Sequence, residues 1–431
     1  MLGYEHLPPD REAVRAVAFS RIAGEPDVTT NVSFHAPPFT ATVDVRRPQK
    51  PEGMAGVTVR EGTGVKRAYL VEAAFISYCA QMAGEPLSRL YVMYVNKTYV
   101  RGETLDSDAL FVTADVTRRA ARLLEEHRGR LDGLKDEIEA DPTLERYRGI
   151  LCKRPHACPV CSEDVEPVAA DHVLTLHRGM ELARELIEEG YETIPEVPRD
   201  RLTHPRQRIQ QSVIVEQRPH VDEEALRAFL GTLDYPLHYL DFEAVSSAVP
   251  RYSGTRPWEH VPYLFSLHTE SGPGAPAEHS WFFMRPGEDE RDQLAARLVS
   301  TVGESGSVVV YSAAFEQMIL KRLADWVPAQ ADGLRGVSAR VVDLLTPFRD
   351  FSFYHHGQRG KVSLKSVFPV LAGVDYSHLE VQDGYTANIS YRYLCDHPDE
   401  RQKLVEQLVE YCRMDTLAMV RIIAELRLLA G

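Results

Sequence analysis

Two carboxylates stand on one predicted strand of this sequence. Residues 239–245 read YLDFEAV, and their aromatic and aliphatic bulk is typical of a buried strand. Asp241 and Glu243 lie two positions apart, so in an extended chain both side chains point to the same face. Neighbouring like charges repel each other, and burying them uncompensated is costly. The pair therefore indicates a bound group of positive charge.

Two later segments carry acids that the expected architecture brings towards this strand. Glu316 begins a predicted helix directly after the buried strand 307–311, and ligands commonly gather at the carboxyl ends of such strands. In the last predicted helix, Tyr411 and Asp415 are four residues apart and share one shoulder of its apolar stripe. Several converging carboxylates favour hard divalent cations, Mg²⁺ or Mn²⁺.

Such a cluster predicts phosphodiester hydrolysis. Two divalent ions ~4 Å apart clamp a phosphodiester, one activating water and the other stabilising the leaving oxygen. The metal ligands would be Asp241, Glu243, Glu316 and Asp415. Tyr411 would orient the attacking water, because a phenol with a reference pKa of about 10 is a weak base at neutral pH.

Composition limits the class of protein. The chain has 431 residues, enough for two or three domains, and a net charge of −14, which argues against coating nucleic acid through bulk charge. A local basic groove on a nuclease remains compatible with that charge. We find no run of ~18 apolar residues and no secretory leader pattern, so we expect a cytoplasmic protein with no membrane partner. Six cysteines are too few for a disulfide framework.

The order of predicted elements indicates α/β folds in both halves. The first part alternates strands (39–47, 53–62 and 89–96) with helices (69–84 and 116–140). From residue 222 a capped helix is followed by three consecutive strands and then by helix–strand–helix–strand–helix, the order of a ribonuclease H-like mixed sheet. We predict domains at 1–150 and 221–431, joined by a cysteine segment and helical linker at 151–220.

The second half resembles the DEDD superfamily of 3′–5′ exonucleases, in the subgroup whose last motif is Tyr-x-x-x-Asp. Asp241-Phe242-Glu243 matches the first motif, and Tyr411 with Asp415 matches the last. The resemblance implies two-metal cleavage from a 3′ end of single-stranded DNA or RNA.

The middle motif departs from that pattern. It is usually Asn-x-x-Phe-Asp, and here it reads Ser312-Ala-Ala-Phe315-Glu316. Glutamate is one methylene longer than aspartate, so Glu316 would reach a metal with altered geometry.

Most of the chain, and its second half more specifically, is similar to a bacterial family that joins a RecB-like nuclease half to this exonuclease-like half. The segments PRYSGTRPW, VVDLLTPFRDF, VSLKSVFP and QDGYTA carry that similarity. In a PD-(D/E)xK nuclease, an Asp on one strand and Glu-x-Lys on the next bind the metal. Asp44 takes the first place, but Thr58-Val59-Arg60 stands for Glu-x-Lys and Ile76 for the expected Gln. This implies a degenerate PD-(D/E)xK-like domain kept for structure or DNA contact.

Three cysteines lie close together, Cys152, Cys158 and Cys161. In the similar family, four cysteines hold a [4Fe–4S] cluster, one of them near the N-terminus. No cysteine precedes Cys79, which lies on a predicted apolar helix face and is expected in the core. Three thiolates with His156 or His172 would alternatively hold Zn²⁺, and a cysteine set that binds neither is the third reading.

Other candidate residues have two readings each. Arg251, Arg256 and Trp258 follow the first strand and would contact phosphate and stack a base, or else pack within their own loop. Lys361 and Lys365 would be substrate contacts or solvated lysines. The remaining polar candidates are expected to be structural or supporting acids (Asp343, Asp383) and packing cysteines (Cys395, Cys412).

Three functional hypotheses follow from these residues. The first is a metal-dependent exonuclease of the second half. The alternative is a nucleic-acid-binding or scaffold protein whose two nuclease folds have both decayed, which the residues at positions 58–60 and 316 favour. In the third, Asp44 still supports an endonuclease in the first half.

Overall fold

The computed structural model describes residues 10–22, 25–51, 53–140, 168–397 and 401–431. Contacts divide the chain into two compact units, Met1–Cys152 with Ser246–His260, and Lys153–Val245 with Val261–Gly431. Residues 168–220, expected to be a connection, thus belong to the second unit, and the loop after the YLDFEAV strand belongs to the first. Within the described residues, no helix combines the length and apolar character needed to cross a membrane.

The first unit is a five-stranded sheet with helices. Its elements are α1 (Asp10–Ile22), β1 (Thr29–Ala36), β2 (Phe39–Pro48), β3 (Met54–Arg60), α2 (Arg67–Met82), β4 (Arg89–Val95), α3 (Ser107–Leu110), β5 (Phe111–Asp115) and α4 (Thr117–Ala140). The strands lie in the order β1-β2-β3-β4-β5, and all neighbours are antiparallel except β3 and β4. Helix α2 makes the crossover between these parallel strands and packs on β1 and β2.

The second unit begins with helices and continues as a second five-stranded sheet. Its elements are α5 (Met180–Glu188), α6 (Pro205–Glu216), β6 (His220–Val221), α7 (Glu223–Leu230), β7 (Leu237–Val245), β8 (Val261–Glu270), β9 (Glu278–Phe283), α8 (Arg291–Val302), β10 (Ser307–Val310), α9 (Ala313–Trp326), α10 (Ala331–Ala339), β11 (Val341–Asp343), α11 (Thr346–Arg349), β12 (Phe353–Tyr354), α12 (Leu364–Ala372), α13 (Gly384–Asp396) and α14 (Arg401–Ala430).

Strand β7 lies at the centre of this sheet, whose order is β11-β10-β7-β8-β9. It pairs antiparallel with β8 and parallel with β10, while β8–β9 is antiparallel and β10–β11 is parallel. Nearly every residue of β7 is buried, as expected of a central strand covered on both faces. Helix α14 packs along β7 and β8, and α9 also contacts β7.

The mixed α/β class expected from the sequence is confirmed. Periodicity located most long elements well, for example α4 and the helix α7, whose N-cap Asp222 accepts a hydrogen bond from the Ala225 amide at 3.0 Å. The elements that it missed include α1, β1, β5, α6 and α13. Strand β1 is mostly polar and exposed, so its residues carry little of the alternation that marks a half-buried strand.

Candidate functional site

The two acids of strand β7 lie beneath helix α14. Asp241 is paired directly with Ser266 of β8, and Glu243 with Leu264. Glu243 is only 8% exposed, and a register shift follows it in the β7–β8 ladder. Burial raises the pKa of Asp241 and of Glu243 well above the usual range, and neighbouring carboxylates raise both further. Their arrangement is costly unless a cation compensates it.

Glu316 reaches this strand from the first turn of α9. The chain enters α9 through Ser312, which has a left-handed backbone with φ 74°. The Ser312 amide donates a hydrogen bond to the Asp343 carboxylate at 2.9 Å, and the Leu345 amide donates to the same oxygen at 3.0 Å. Asp343 therefore fixes the turn that places Glu316.

The Glu316 carboxyl is buried and half satisfied. Its side chain accepts a hydrogen bond from the amide of Phe242, the residue between the two β7 acids. Its Oε2 is buried without any hydrogen-bond partner, in a residue that is only 3% exposed. Burial raises its pKa, and the charges of Asp241 and Glu243 add to this. A buried oxygen without a donor is costly, and a bound cation would remove that cost.

Asp415 completes the group of four carboxyls from helix α14. The hydroxyls of Tyr376 and Tyr411 both hydrogen-bond to its carboxylate. Burial is the main cause that raises the pKa of Asp415, to about 6, while these two hydroxyls and Lys365 partly oppose the rise. The charge of Asp415 in turn raises the pKa of Asp241, after burial. The four acids predicted from the sequence thus interact electrostatically in one place.

A lysine beside these acids determines how Tyr411 can act. The Lys365 ammonium donates a hydrogen bond to the Tyr411 hydroxyl at 2.9 Å and lies 4.7 Å from the centre of its ring. Because an ammonium only donates, the hydrogen of the Tyr411 hydroxyl is left for Asp415. The second lone pair of that hydroxyl can then accept a hydrogen bond from water. Lys365 thus contacts a candidate site residue, and its contact with a substrate stays a prediction.

Cys412 contributes a thiol to the same cluster. Its Sγ lies 3.2 Å from Asp241 Oδ2, and potential ligand atoms of Asp241, Glu243 and Cys412 all lie within 4.8 Å of one another. The sequence predicted a packing role, and the residue is fully buried, but the thiol also contacts a site carboxylate. Its position next to Tyr411 in a helix that carries two site residues was the available signal.

The donor set fits a hard divalent cation. Four carboxyls supply oxygen ligands, one carboxylate oxygen has no donor, and the ammonium of Lys365 offsets only one charge. Asp383, whose charge also raises the pKa of Glu243 after burial and nearer acids, caps α13 by accepting the Thr386 amide at 2.8 Å. It is therefore both a structural residue and part of the electrostatic surroundings.

We expect the stability of the metal-free protein to fall as pH rises. The folded-state pKa of each of the four carboxyls exceeds the unfolded value of about 3.9 for Asp or 4.3 for Glu. Their stabilising contribution is therefore complete below about pH 4 and is lost as pH rises through the folded values, about 6 for Asp415. Thermal unfolding with a chelator should show a falling midpoint from pH 5 to 8, and Mg²⁺ or Mn²⁺ should remove most of the fall. An Asp415→Asn variant should show a flatter slope; an equal slope would contradict the origin proposed here.

The acid predicted for the first unit, Asp44, is held by arginines. Asp44 Oδ2 accepts hydrogen bonds from the Val59 amide at 2.7 Å and from Arg60 Nη1 at 2.9 Å. Arg15 Nε lies 2.9 Å from the other oxygen, Oδ1. Both oxygens of this carboxylate, only 4% exposed, therefore already face cations.

Arg60 places a permanent positive charge between two acids of the first unit. Its side chain is 3% exposed, and its Nε donates to Glu72 of α2 at 3.0 Å while Nη1 bonds Asp44. Glu72 is an acid that sequence reasoning missed, because it lies on the helix rather than at the Glu-x-Lys position. Ile76, at the place of the expected Gln, is packed in the core. The two acids and the guanidinium form a closed ion-pair network.

The loop residues proposed to contact nucleic acid belong to the first unit. Trp258 packs against the core of this unit, and its indole Nε1 donates to the Glu61 carbonyl at 2.8 Å. Arg251 is half-buried and Arg256 is exposed. This arrangement gives Trp258 an internal structural role, and contact with a nucleic acid stays a prediction for all three.

The predicted cysteine cluster, Cys152, Cys158 and Cys161, lies outside the described residues, as does His156. His172 caps a short 3₁₀ turn, where its Nδ1 accepts the Leu174 amide at 3.1 Å. Cys79 lies in the hydrophobic core, as expected, and Cys395 is half-buried. Lys361 is exposed.

Comparison with known proteins gives one family match. Residues 238–363 match a family described as "Domain of unknown function (DUF2779)". The matched segment contains three of the clustered acids, Asp241, Glu243 and Glu316, and ends before Tyr411 and Asp415. No curated protein and no solved structure matches the chain. The segment from β7 to the residue before α12 is thus similar to this family.

Proposed function

We propose that the second unit is a metal-dependent nuclease that cleaves single-stranded DNA or RNA from a 3′ end. The observation that carries this proposal is the electrostatic interaction of four carboxyls from β7, α9 and α14, three of them buried and that of Asp241 half-buried. One oxygen of Glu316 is in addition buried without a donor. Acids of mutually raised pKa in one place are typical of functional sites. The sequence had indicated all three elements as sources of metal-binding acids.

Strand order supports the same proposal. Numbered within the second sheet, the strands follow the order 3-2-1-4-5, with the second strand antiparallel to the first, and this is the order of ribonuclease H-like folds. In the first unit, the sequence helix–three strands–helix–strand, with a parallel pair formed by the crossover, supports a PD-(D/E)xK-like fold. The closed network around Asp44 supports its assignment as degenerate.

Each residue of the site has a role in this proposal. Asp241, Glu243, Glu316 and Asp415 would hold two Mg²⁺ or Mn²⁺ ions, which activate a water and stabilise the leaving oxygen when bound. The Tyr411 hydroxyl, fixed by Lys365 and Asp415, accepts a hydrogen bond from the attacking water and so orients it. Burial raises the pKa of Tyr411 far above 10, which favours this orienting role over removal of a proton.

End-labelled oligonucleotides test the proposal directly. Wild-type protein with Mg²⁺ or Mn²⁺ should shorten 5′-labelled single strands stepwise, and chelation or Asp241→Ala should abolish this cleavage. A 3′-phosphate or a circular strand should protect the substrate, because removal of terminal nucleotides requires a free 3′ end. Equal cleavage by wild type and Asp241→Ala would reject the assignment.

The same experiment separates the competing hypotheses. A decayed nucleic-acid-binding or scaffold protein would retain oligonucleotides without any metal-dependent cleavage. Cleavage of circular DNA that survives Asp241→Ala would point to Asp44 instead, although the pairing of Asp44 with Arg60 and Arg15 argues against this outcome.

A further inference from the structure

We propose that the carboxylate cluster also binds Zn²⁺ in a second mode, in which the thiolate of Cys412 joins Asp241 and Glu243 as a ligand and cleavage stops. The inference rests on the proposed function for its effect on cleavage, but the binding itself does not depend on any catalysis. It assigns the site a form of regulation by soft metal ions.

The geometry of the three side chains fits one tetrahedral ion. A thiolate sulfur about 2.3 Å from Zn²⁺ and a carboxylate oxygen about 2.0–2.2 Å from it lie roughly 3.5 Å apart in tetrahedral coordination. Cys412 Sγ lies 3.2 Å from Asp241 Oδ2. A ligand atom from each of Asp241, Glu243 and Cys412 lies within 4.8 Å of the other two. Among the described residues, these three form a group of His, Cys, Asp or Glu side chains close enough to hold one metal ion.

A second observation is a buried acid whose charge acts on the two carboxylates of this group, Asp241 and Glu243. Glu316 is only 3% exposed, and its Oε2 has no hydrogen-bond partner. The same carboxyl is anchored on the Phe242 amide, between Asp241 and Glu243 in the chain. The geometry thus shows three ligands, one sulfur and two carboxylates. An ion held by them would occupy Asp241 and Glu243, two of the four acids that the catalytic ions need, so this mode would be inactive.

Metal softness separates the two modes. Mg²⁺ takes oxygen ligands, so with Mg²⁺ the Cys412 thiol keeps its proton, which it donates to Asp241. Zn²⁺ accepts thiolates, and the S–H proton is released to solvent as the Zn–S bond forms. No oxidation occurs, and the thiol releases one proton for each ion bound, in addition to any proton that the carboxyl ligands hold before binding. The thiol therefore raises the affinity for Zn²⁺ relative to Mg²⁺.

A chain with one thiol tests the binding. The chain has six cysteines, so the substitutions Cys79→Ala, Cys152→Ser, Cys158→Ser, Cys161→Ser and Cys395→Ser leave Cys412 alone. Titrating this variant, freed of metal, with Co²⁺ or Cd²⁺ should produce a thiolate-to-metal charge-transfer band at one ion per chain. The matched variant with Cys412→Ser in addition should show no band. A missing band in the folded one-thiol variant would overturn the inference.

Wild-type protein provides a second measurement if the one-thiol variant fails to fold. The band intensity of the wild type should fall on Cys412→Ser or Cys412→Ala and remain on Cys395→Ser, its control in the same unit. Bands of equal intensity in all of these would equally overturn the inference.

Cleavage assays then distinguish failure of this inference from failure of the proposed function. The Zn²⁺ concentration that halves each variant's own Mn²⁺-dependent rate should rise at least ~10-fold on Cys412→Ser. A charge-transfer band without any Mn²⁺- or Mg²⁺-dependent cleavage would refute the nuclease and leave the zinc site standing. Cleavage without the charge-transfer band would refute the zinc site and leave the nuclease standing.

Discussion

Glu316→Gln is expected to lower cleavage and to stabilise the metal-free protein at the same time. The amide keeps the size of the side chain but removes the negative charge that would bind a cation beside Asp241 and Glu243. A metal ion supplies several kcal/mol of transition-state stabilisation, so weakening its site should cost at least ~10²-fold in rate. Initial rates on a labelled oligonucleotide, at saturating Mn²⁺, measure this loss.

The gain in stability has the opposite sign for a physical reason. At pH 8 the folded protein either protonates the Glu316 carboxyl or keeps a charge among other acids, and each unit by which its pKa is raised costs about 1.4 kcal/mol. Removing that charge should raise the unfolding midpoint measured with a chelator. Asp325→Asn, on the exposed part of the same helix, provides the control and should change neither quantity. A Glu316→Gln variant with an unchanged rate would remove Glu316 from the ion site.

The acids of the candidate site could be predicted because their spacing within single strands and helices is visible in the sequence. The i, i+2 pair on β7 and the i, i+4 pair on α14 each place two groups on one side of a regular element. Their meeting required one further step, the order of strands, which alternating helices and strands also indicate. The sequence shows that the Glu316 side chain is one methylene longer than that of Asp. It could not show that one of the carboxylate oxygens lacks a hydrogen-bond donor.

The groups that adjust the site could not be predicted for the opposite reason. Lys365 and Tyr376 lie 46 and 39 residues before the α14 residues that they contact, Tyr411 and Asp415. Sequence periodicity cannot distinguish a solvated lysine near the start of a helix from a lysine that contacts a site residue. Cys412 was expected to be a packing residue because it lies on an apolar stripe. It is indeed buried, but its thiol also contacts the Asp241 carboxylate.

In the first unit, the missing Glu-x-Lys motif led to an underestimate of the number of acids near Asp44. Positions 58–60 indicated a lost metal site with a single acid, yet the structure holds two acids around Arg60, since Glu72 approaches from α2. The sequence pattern did not reveal that a guanidinium lies between these two acids. The positive charge of Arg60 explains how Asp44 can be buried.

Arg60→Met is expected to destabilise the first unit by about 3 kcal/mol. The substitution keeps most of the buried stem but leaves Asp44 and Glu72 without the guanidinium between them, and removal of one partner from a buried pair costs about 3–5 kcal/mol. Arg15 still faces Asp44, which places the value at the lower end. Hydrogen exchange of residues 39–60 in the full chain measures this unit separately, and their slowest amides should exchange more than ~100-fold faster.

Arg46→Met provides the matched control on neighbouring strand β2. Its partner Glu85 lies 2.9 Å away, but the two side chains are 25% and 50% exposed, so this pair should contribute less than about 1 kcal/mol. The double variant Asp44→Asn with Arg60→Met should lose less stability than the sum of the two single variants, because the partners no longer leave each other unpaired. Equal losses for Arg46→Met and Arg60→Met, or full additivity in the double variant, would show that Arg60 does not compensate Asp44. Protection restored by the double variant would instead establish that charge compensation, rather than packing of the arginine stem, keeps Asp44 in this sheet.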